Sequence, residues 1–322
     1  MGHNRRRSEP ARALTGSHKQ HGYSFMKPIL VATDLSARAE AAFERAVQLA
    51  SQHVTTVRLL FVMDDALPGN VAERLAREAE DMIRRKWFPR AHDAGIEVTL
   101  VTRTGRAFEG ILAEAEAIDA ELILLGTHRQ EELRDLFTGS TAWRVLREAR
   151  RPVLQVKYPP TGPYRRVLAA VDFTPASREA LLLACRLATD GKLSAVHAFT
   201  VPFVGFPPSH KARRKASDQA RAEMESNIAD TMRTFAARDE DRPIVIHKEV
   251  HDGDVLAVLG RTCDLLRPDL LVIGTRGRAG LGEAFYKSIA ETLLRRPPCD
   301  IAAVSAAGAA AEDARRDDAA LA

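Results

Sequence analysis

Two stretches of this chain are copies of one another. PILVATDLSARAEAAFERAVQLA (28–50) and RVLAAVDFTPASREALLLACRLA (166–188) each run from an apolar strand through an aspartate into a helix. Asp34 and Asp172 correspond, 138 positions apart. Further on, VTRTGRAFEGILAEAEAIDAELILLGTHR (101–129) matches EVHDGDVLAVLGRTCDLLRPDLLVIGTRG (249–277), and here Gly105 and Gly126 fall 148 positions before Gly253 and Gly274. The growing offset predicts an insertion in the second copy, placed around PFVGFPPSHKARRK (202–215). Whatever one unit folds into, the other must fold into as well.

Within a unit, strands alternate with helices. In the first copy strands are expected near 28–33, 56–62, 96–102, 121–125 and 152–156. Between them Ala39, Ala42, Phe43, Ala46, Val47 and Ala50 recur at helical spacing, as do Leu75, Ala79, Met82 and Ile83. ILVAT, LILLG and LLVIG are apolar nearly throughout, which suits strands covered on both faces. The fold class is therefore α/β: two tandem five-stranded parallel sheets with helices on both faces, order 3-2-1-4-5 assumed. Ser36 is the expected N-cap of the first helix, and Thr174 caps its counterpart with Pro175 at the first helical position. With that order, Asp34 and Gly126, like Asp172 and Gly274, converge on the crevice at the topological switch point.

The expected layout is a disordered basic extension (1–25), a first domain (26–157), a linker (158–163), a second domain (164–305) and a disordered tail (306–322). Met26 is the expected natural start. Residues 1–25 carry Arg5, Arg6, Arg7, Arg12 and Lys19 against Glu9, which is the whole formal net charge of +4. Residues 306–322 are net acidic, so the body between is nearly neutral and nucleic acid is not an expected partner. Three scattered cysteines, Cys185, Cys263 and Cys299, form no C-x-x-C pair and point to a reducing, cytoplasmic setting. No apolar run reaches the roughly 18 residues of a membrane helix, so no membrane association is expected.

The chemistry concentrates after the fourth strand of each copy. The first copy reads LLGTHRQEELRDLFTGST (124–141), with Gly126, Arg129, Gly139, Ser140 and Thr141. The second reads GTRGRAGLGEAFYKSI (274–289), with Gly274, Arg276, Gly277, Lys287 and Ser288. Glycines and hydroxyls at a helix start suit a phosphate, because glycine permits close backbone approach and the helix dipole favours an anion.

These residues resemble the universal stress protein family in its tandem two-domain form, over 26–305. The family motif is a first-strand aspartate with G-x2-G-x9-G-[S/T] after strand four. The resemblance implies ATP, with Mg2+, bound with the aspartate near the adenosine moiety and the glycine amides on the phosphates. It also implies edge-to-edge pairing through fifth strands, here VLQVK (153–157) and IAAVS (301–305), as an intrachain pseudo-dimer. Neither copy keeps the motif whole. Arg129 replaces the second glycine in copy one, and Lys287 replaces the glycine before Ser288 in copy two. Copy two, with Asp172, Gly274, Arg276, Gly277, Lys287 and Ser288, is the expected main nucleotide site. Copy one offers Asp34, Gly126, Gly139, Ser140 and Thr141.

Other signals carry less. Tyr286 stands where a Walker loop needs glycine, and no G-x-G-x-x-G follows a first strand. His251, Asp252 and Asp254 read as a loop before a helix, His197 as a core histidine, and 210–223 as a basic helix entry. No catalytic residue and no metal ligand is identified. The expected function is non-catalytic stress-response regulation through an adenine nucleotide. Two alternatives stay open: an interaction scaffold with decayed sites, and a slow ATPase. Protein partners are not named by the sequence, and a homodimer of the whole chain also stays open.

Overall fold

The computed structural model describes residues 27–65, 69–127, 141–189, 191–201, 209–237, 243–275 and 283–305, with the side chains of 70 and 283–288 outside the description. The two terminal segments expected to be disordered, and Met26, lie outside the described residues.

The first half runs β1 (Ile29–Thr33), α1 (Ala37–His53), β2 (Val57–Met63), α2 (Gly69–Lys86), α3 (Phe88–Asp93), β3 (Val98–Thr104), α4 (Ala107–Ala117), β4 (Leu122–Gly126), α5 (Thr141–Glu148) and β5 (Val153–Val156). The second runs β6 (Val167–Ala170), α6 (Pro175–Leu187), β7 (Lys192–Phe199), α7 (His210–Ala236), β8 (Val245–Asp252), α8 (Val255–Leu266), β9 (Leu270–Gly274), α9 (Glu283–Arg295) and β10 (Asp300–Val304). Each half has the expected 3-2-1-4-5 order. The two sheets are not separate, however: the order β3-β2-β1-β4-β5-β10-β9-β6-β7-β8 makes one ten-stranded sheet. Its middle is the β5–β10 pair, antiparallel with Leu154 opposite Ala302, whereas pairs within a half are parallel. The segments joined are VLQVK and IAAVS. Because the joint is antiparallel, the carboxyl ends of the two halves' strands point in opposite directions.

Strand side chains alternate between two cores. Leu122 and Leu124 belong to one face with Phe43, Trp87, Tyr164, Met224 and Phe235. Ile123 and Leu125 belong to the other with Ile111, Val145, Val258 and Ile289. The continuous apolar run of β4 is thus two interleaved period-2 patterns, one for each helix layer. Ser36 caps α1 by accepting from the Ala39 amide at 3.2 Å, and Thr174 caps α6 by accepting from Ser177 at 3.2 Å.

The second crossover differs between halves. In the first it breaks at Trp87 into α2 and α3, with Pro89 in the first turn of α3. In the second, α7 is a single 27-residue helix. The connections on both sides of α7 (200–209 and 237–244) are longer than their counterparts (64–68 and 94–97), so the insertion straddles the helix rather than lying at 202–215 alone. On α2 the buried positions are Ala72, Ala79 and Ile83, while Leu75 and Met82 are exposed. The 3.6 period carries those two past the edge of the core stripe.

α1 ends with Val54 in the left-handed region, φ 50°, its amide donating to the Ala50 carbonyl. A β-branched residue is poorly suited there, and Val54 is half exposed, so it gains little from packing. Val54→Gly is expected to stabilise the protein by about 1 kcal/mol, read as a higher midpoint in urea unfolding.

Beside the seam lies a buried polar cluster with no copy in the other half. Asp300 accepts from the Tyr164 hydroxyl at 2.6 Å and from the Lys157 amide at 2.8 Å, and Arg45 Nε stands 3.4 Å away. The Arg45 guanidinium lies over the Tyr164 ring at 4.0 Å and donates to the Gly162 carbonyl at 2.9 Å. By the repeat offset, Leu183 stands where Arg45 does. The cluster ties α1 of the first half to the linker and to β10. Burial pushes the Asp300 carboxyl above the ordinary range, against the pull of its Tyr164, Lys157 and Arg45 partners.

Candidate nucleotide cleft

A cleft of about 570 Å3 opens in the second half at the carboxyl ends of β6, β7 and β9. This is the switch point, where β6 has β7 on one side and β9 on the other. Val196, Ala198, Val258, Leu259, Ile273 and Ile289 give it apolar walls, and Asp172, His197, Thr200 and Asp254 supply polar groups.

Asp172 stands two residues past the end of β6. Its Oδ1 accepts from the Thr174 amide at 3.1 Å and the Thr174 hydroxyl at 2.6 Å, and its own amide donates to Ser177 Oγ at 3.1 Å. These bonds hold the carboxylate at the start of α6 and leave Oδ2 without a partner among the described residues. The residue between, Phe173, has φ 65°. Leu35 in the first half has φ 64° after Asp34, whose Oδ1 accepts from Ser36. Bulky residues in the left-handed region cost roughly 1–2 kcal/mol each, so both copies maintain the same strain beside the same aspartate.

Gly126 and Gly274 end β4 and β9. A Cβ on Gly274 would stand 2.7 Å from the Ser177 amide nitrogen and 2.9 Å from the Ala176 carbonyl carbon. A Cβ on Gly126 would meet the Arg38 carbonyl carbon at 2.6 Å. Both glycines let the fourth strand touch the first turn of the helix that follows the aspartate. This packing role is separate from any contact with phosphate.

His197 is 9% exposed, and its Nδ1–H donates to the Val171 carbonyl at 2.7 Å, as suits a core histidine. Its ring lies 4.3 Å from that of Phe173, and it also lines the cleft. Asp254 caps α8 through the Ala257 amide at 3.0 Å, and Gly253 before it has φ 147°. Sequence reasoning passed over Asp254 as a cleft residue; its place after the matched Gly253 was the available signal.

Matched positions in the first half differ. Arg106 replaces Asp254 and makes no side-chain cap. Val62 and Gly110 stand where Ala198 and Val258 do, and Val62 Cγ2 lies 3.0 Å from the place of a Gly110 Cβ. The bulk has moved from helix to strand, and a cation replaces a carboxylate. Thr141 begins α5. Gly139, Ser140, Arg129, Arg276 and Gly277 lie outside the described residues, while Lys287 and Ser288 fall within α9 with side chains outside the description.

Among the described residues no group of three His, Cys, Asp or Glu side chains is placed to hold a metal ion. No described helix is long and apolar enough to cross a membrane. Cys185, Cys263 and Cys299 are buried and form no disulfide among the described residues, and burial pushes the Cys263 thiol up to about 11, so its thiolate is scarce at neutral pH.

The family model described as "Universal stress protein family" matches residues 26–157 and 163–305. Universal stress protein E of Photorhabdus laumondii is 23% identical over 313 residues, covering 87% of this chain and 95% of that protein. A universal stress protein from Archaeoglobus fulgidus superposes with a TM-score of 0.65 at 18% identity, over 88% of this chain and 98% of that one. A putative universal stress protein from Pseudomonas aeruginosa gives 0.54 at 21% identity, over 89% and 96%. With the family model matched twice and the fold shared over most of its length, the chain belongs to the universal stress protein family, in tandem two-domain form.

Proposed function

We propose that the chain binds an adenine nucleotide in the second-half cleft and acts as a cytoplasmic, non-catalytic regulator of the stress response. The observation that carries this is the Oδ2 of Asp172, without a partner among the described residues, at the mouth of an apolar cleft at the switch point. A purine suits walls of Val196, Ile273 and Ile289, and a carboxylate oxygen held by two local bonds accepts a base or ribose donor without further ordering. The volume falls within the range of small-molecule sites, roughly 300–1,000 Å3. Gly277, Arg276, Lys287 and Ser288 are proposed for the phosphates, with Mg2+ travelling on ATP. Asp34, Gly126, Gly139, Ser140 and Thr141 are the weaker counterpart, since Val62 and Arg106 alter the first crevice.

Calorimetric titration with Mg·ATP tests this. Asp172→Ala is expected to weaken binding about tenfold, the loss of one charge-assisted hydrogen bond, while Asp34→Ala leaves the main isotherm unchanged. No heat up to millimolar ATP sinks the proposal.

A scaffold with decayed sites is the second reading. It is favoured by the packing role of Gly126 and Gly274, which accounts for both glycines without a ligand. Binding only after Arg129→Gly or Lys287→Gly decides for it.

A further inference from the structure

The turn from β8 into α8 is fastened to the tip of β7. The Gly253 amide donates to the Phe199 carbonyl at 2.9 Å, and the Thr200 hydroxyl donates to the Gly253 carbonyl at 3.2 Å. From there α8 packs Val258 and Leu259 on the sheet face of Val196 and Ile273, which is the face of the cleft. Asp254, the N-cap of α8, is thereby held at the rim on that same face and lines the cleft. Its Oδ1 accepts from the Ala257 amide, and its Oδ2 has no partner among the described residues. The first half builds the same turn. There the Gly105 amide donates to the Met63 carbonyl at 2.8 Å, and Arg106 follows. One frame therefore presents a carboxylate in one half and a guanidinium in the other.

The order of the strands orients a nucleotide in this cleft. Across the rim the sheet runs β9-β6-β7-β8. Asp172 stands beyond β6 and Asp254 beyond β8, and both carboxylates repel a polyphosphate. The side left to the phosphates is that of β9 and the amino end of α9, where the helix dipole favours an anion. A nucleotide is linear in its parts, from phosphate through ribose to base. With the phosphates beside β9, the ribose falls at Asp172. The base then lies over β7, between Val196 and Ala198 of the strand and Val258 of α8. β6 and β8 are two strand spacings apart, about 10 Å, so the far edge of the base reaches the β8–α8 turn. What it meets there is Asp254 Oδ2, an acceptor that suits an N–H donor and gains nothing from a C–H.

We propose that Asp254 reads the base, its Oδ2 accepting from the exocyclic amino group of adenine while Asp172 takes the ribose. The inference deepens the nucleotide reading and rests on it. Asp254 is exposed at the rim, so the bond is worth about tenfold in affinity, at the low end for a charged acceptor. Arg106 offers only donors, so the first crevice lacks this preference.

Paired calorimetric titrations of the full chain test this, one with Mg·ATP and one with Mg·purine riboside triphosphate, which carries hydrogen in place of the amino group. The wild type should prefer ATP about tenfold. Asp254→Asn keeps an oxygen to cap Ala257 but turns an NH2 toward the base. It should bind the two nucleotides alike, losing affinity for ATP and keeping that for purine riboside triphosphate. Equal affinities in the wild type overturn the inference, as does a preference that survives in Asp254→Asn. A parallel loss of both nucleotides in Asp254→Asn also overturns it, and assigns Asp254 to holding the turn. No heat from either nucleotide with the wild type sinks the nucleotide reading itself, and this inference with it.

Discussion

Arg45→Leu is expected to lower the unfolding free energy by about 3–5 kcal/mol, although Leu183 occupies the matched position in the other half. The substitution strands a buried carboxylate. Asp300 keeps its bonds from Tyr164 and Lys157 but loses the one cation within ion-pair distance among the described residues. The partner group, not the leucine, causes the loss. Arg45→Leu combined with Asp300→Asn should therefore recover most of it, and a double-mutant cycle in urea unfolding reads the coupling. The pH dependence has a definite sign. The Asp300 carboxyl is raised in the folded protein, so the folded state holds its proton more tightly than the unfolded chain. Its contribution is fully present below the unfolded value and is lost as pH rises through the folded one. Removing Arg45 raises that folded value further, so the penalty should be larger at pH 7 than near pH 4. A penalty independent of pH would assign the effect to packing of Arg45 on Tyr164 instead.

Gly274→Ala is expected to cost about 3 kcal/mol, at the upper end for overpacking by one methyl. The atoms met at 2.7 and 2.9 Å are backbone atoms of Ser177 and Ala176, which cannot rotate away, so the first turn of α6 must move as a body. That turn carries the Asp172–Thr174 hydrogen bonds and the strained Phe173. Nucleotide affinity should therefore fall along with stability, and more steeply than in Asp172→Ala. Gly260→Ala is the control. It lies within α8 with open space where the added methyl would stand, and should stabilise by about 0.5–1 kcal/mol. If both alanines behave alike in thermal unfolding, the close approach of β9 and α6 is wrong.

The fold was legible because its signals were repeated. The apolar runs of β1, β4, β6 and β9, the Ser36 and Thr174 caps, and the doubled aspartate agree on one topology. The seam between VLQVK and IAAVS was reached only through family resemblance, since nothing in two short apolar strands names the partner across an edge. The Arg45–Asp300 cluster was not legible at all. A charged residue in a helix reads as surface until the linker is seen to cover it. The left-handed backbone at Leu35 and Phe173 left no trace either, because neither residue type favours it. At the candidate cleft, the aspartate and glycine positions were visible. The steric reason for Gly126 and Gly274 was not, since a glycine needed for packing and a glycine needed for a ligand are the same letter.

The antiparallel β5–β10 joint gives the molecule two ends, and divergence has made those ends unlike. One presents Asp34 with Val62, Gly110 and Arg106; the other presents Asp172 with Ala198, Val258 and Asp254. Two identical copies paired this way would be indifferent to which way round they were grasped. This chain is not. A partner that grips one end leaves the other open and knows which end it holds, so the duplicated protein carries a direction that a symmetric pair of single domains lacks.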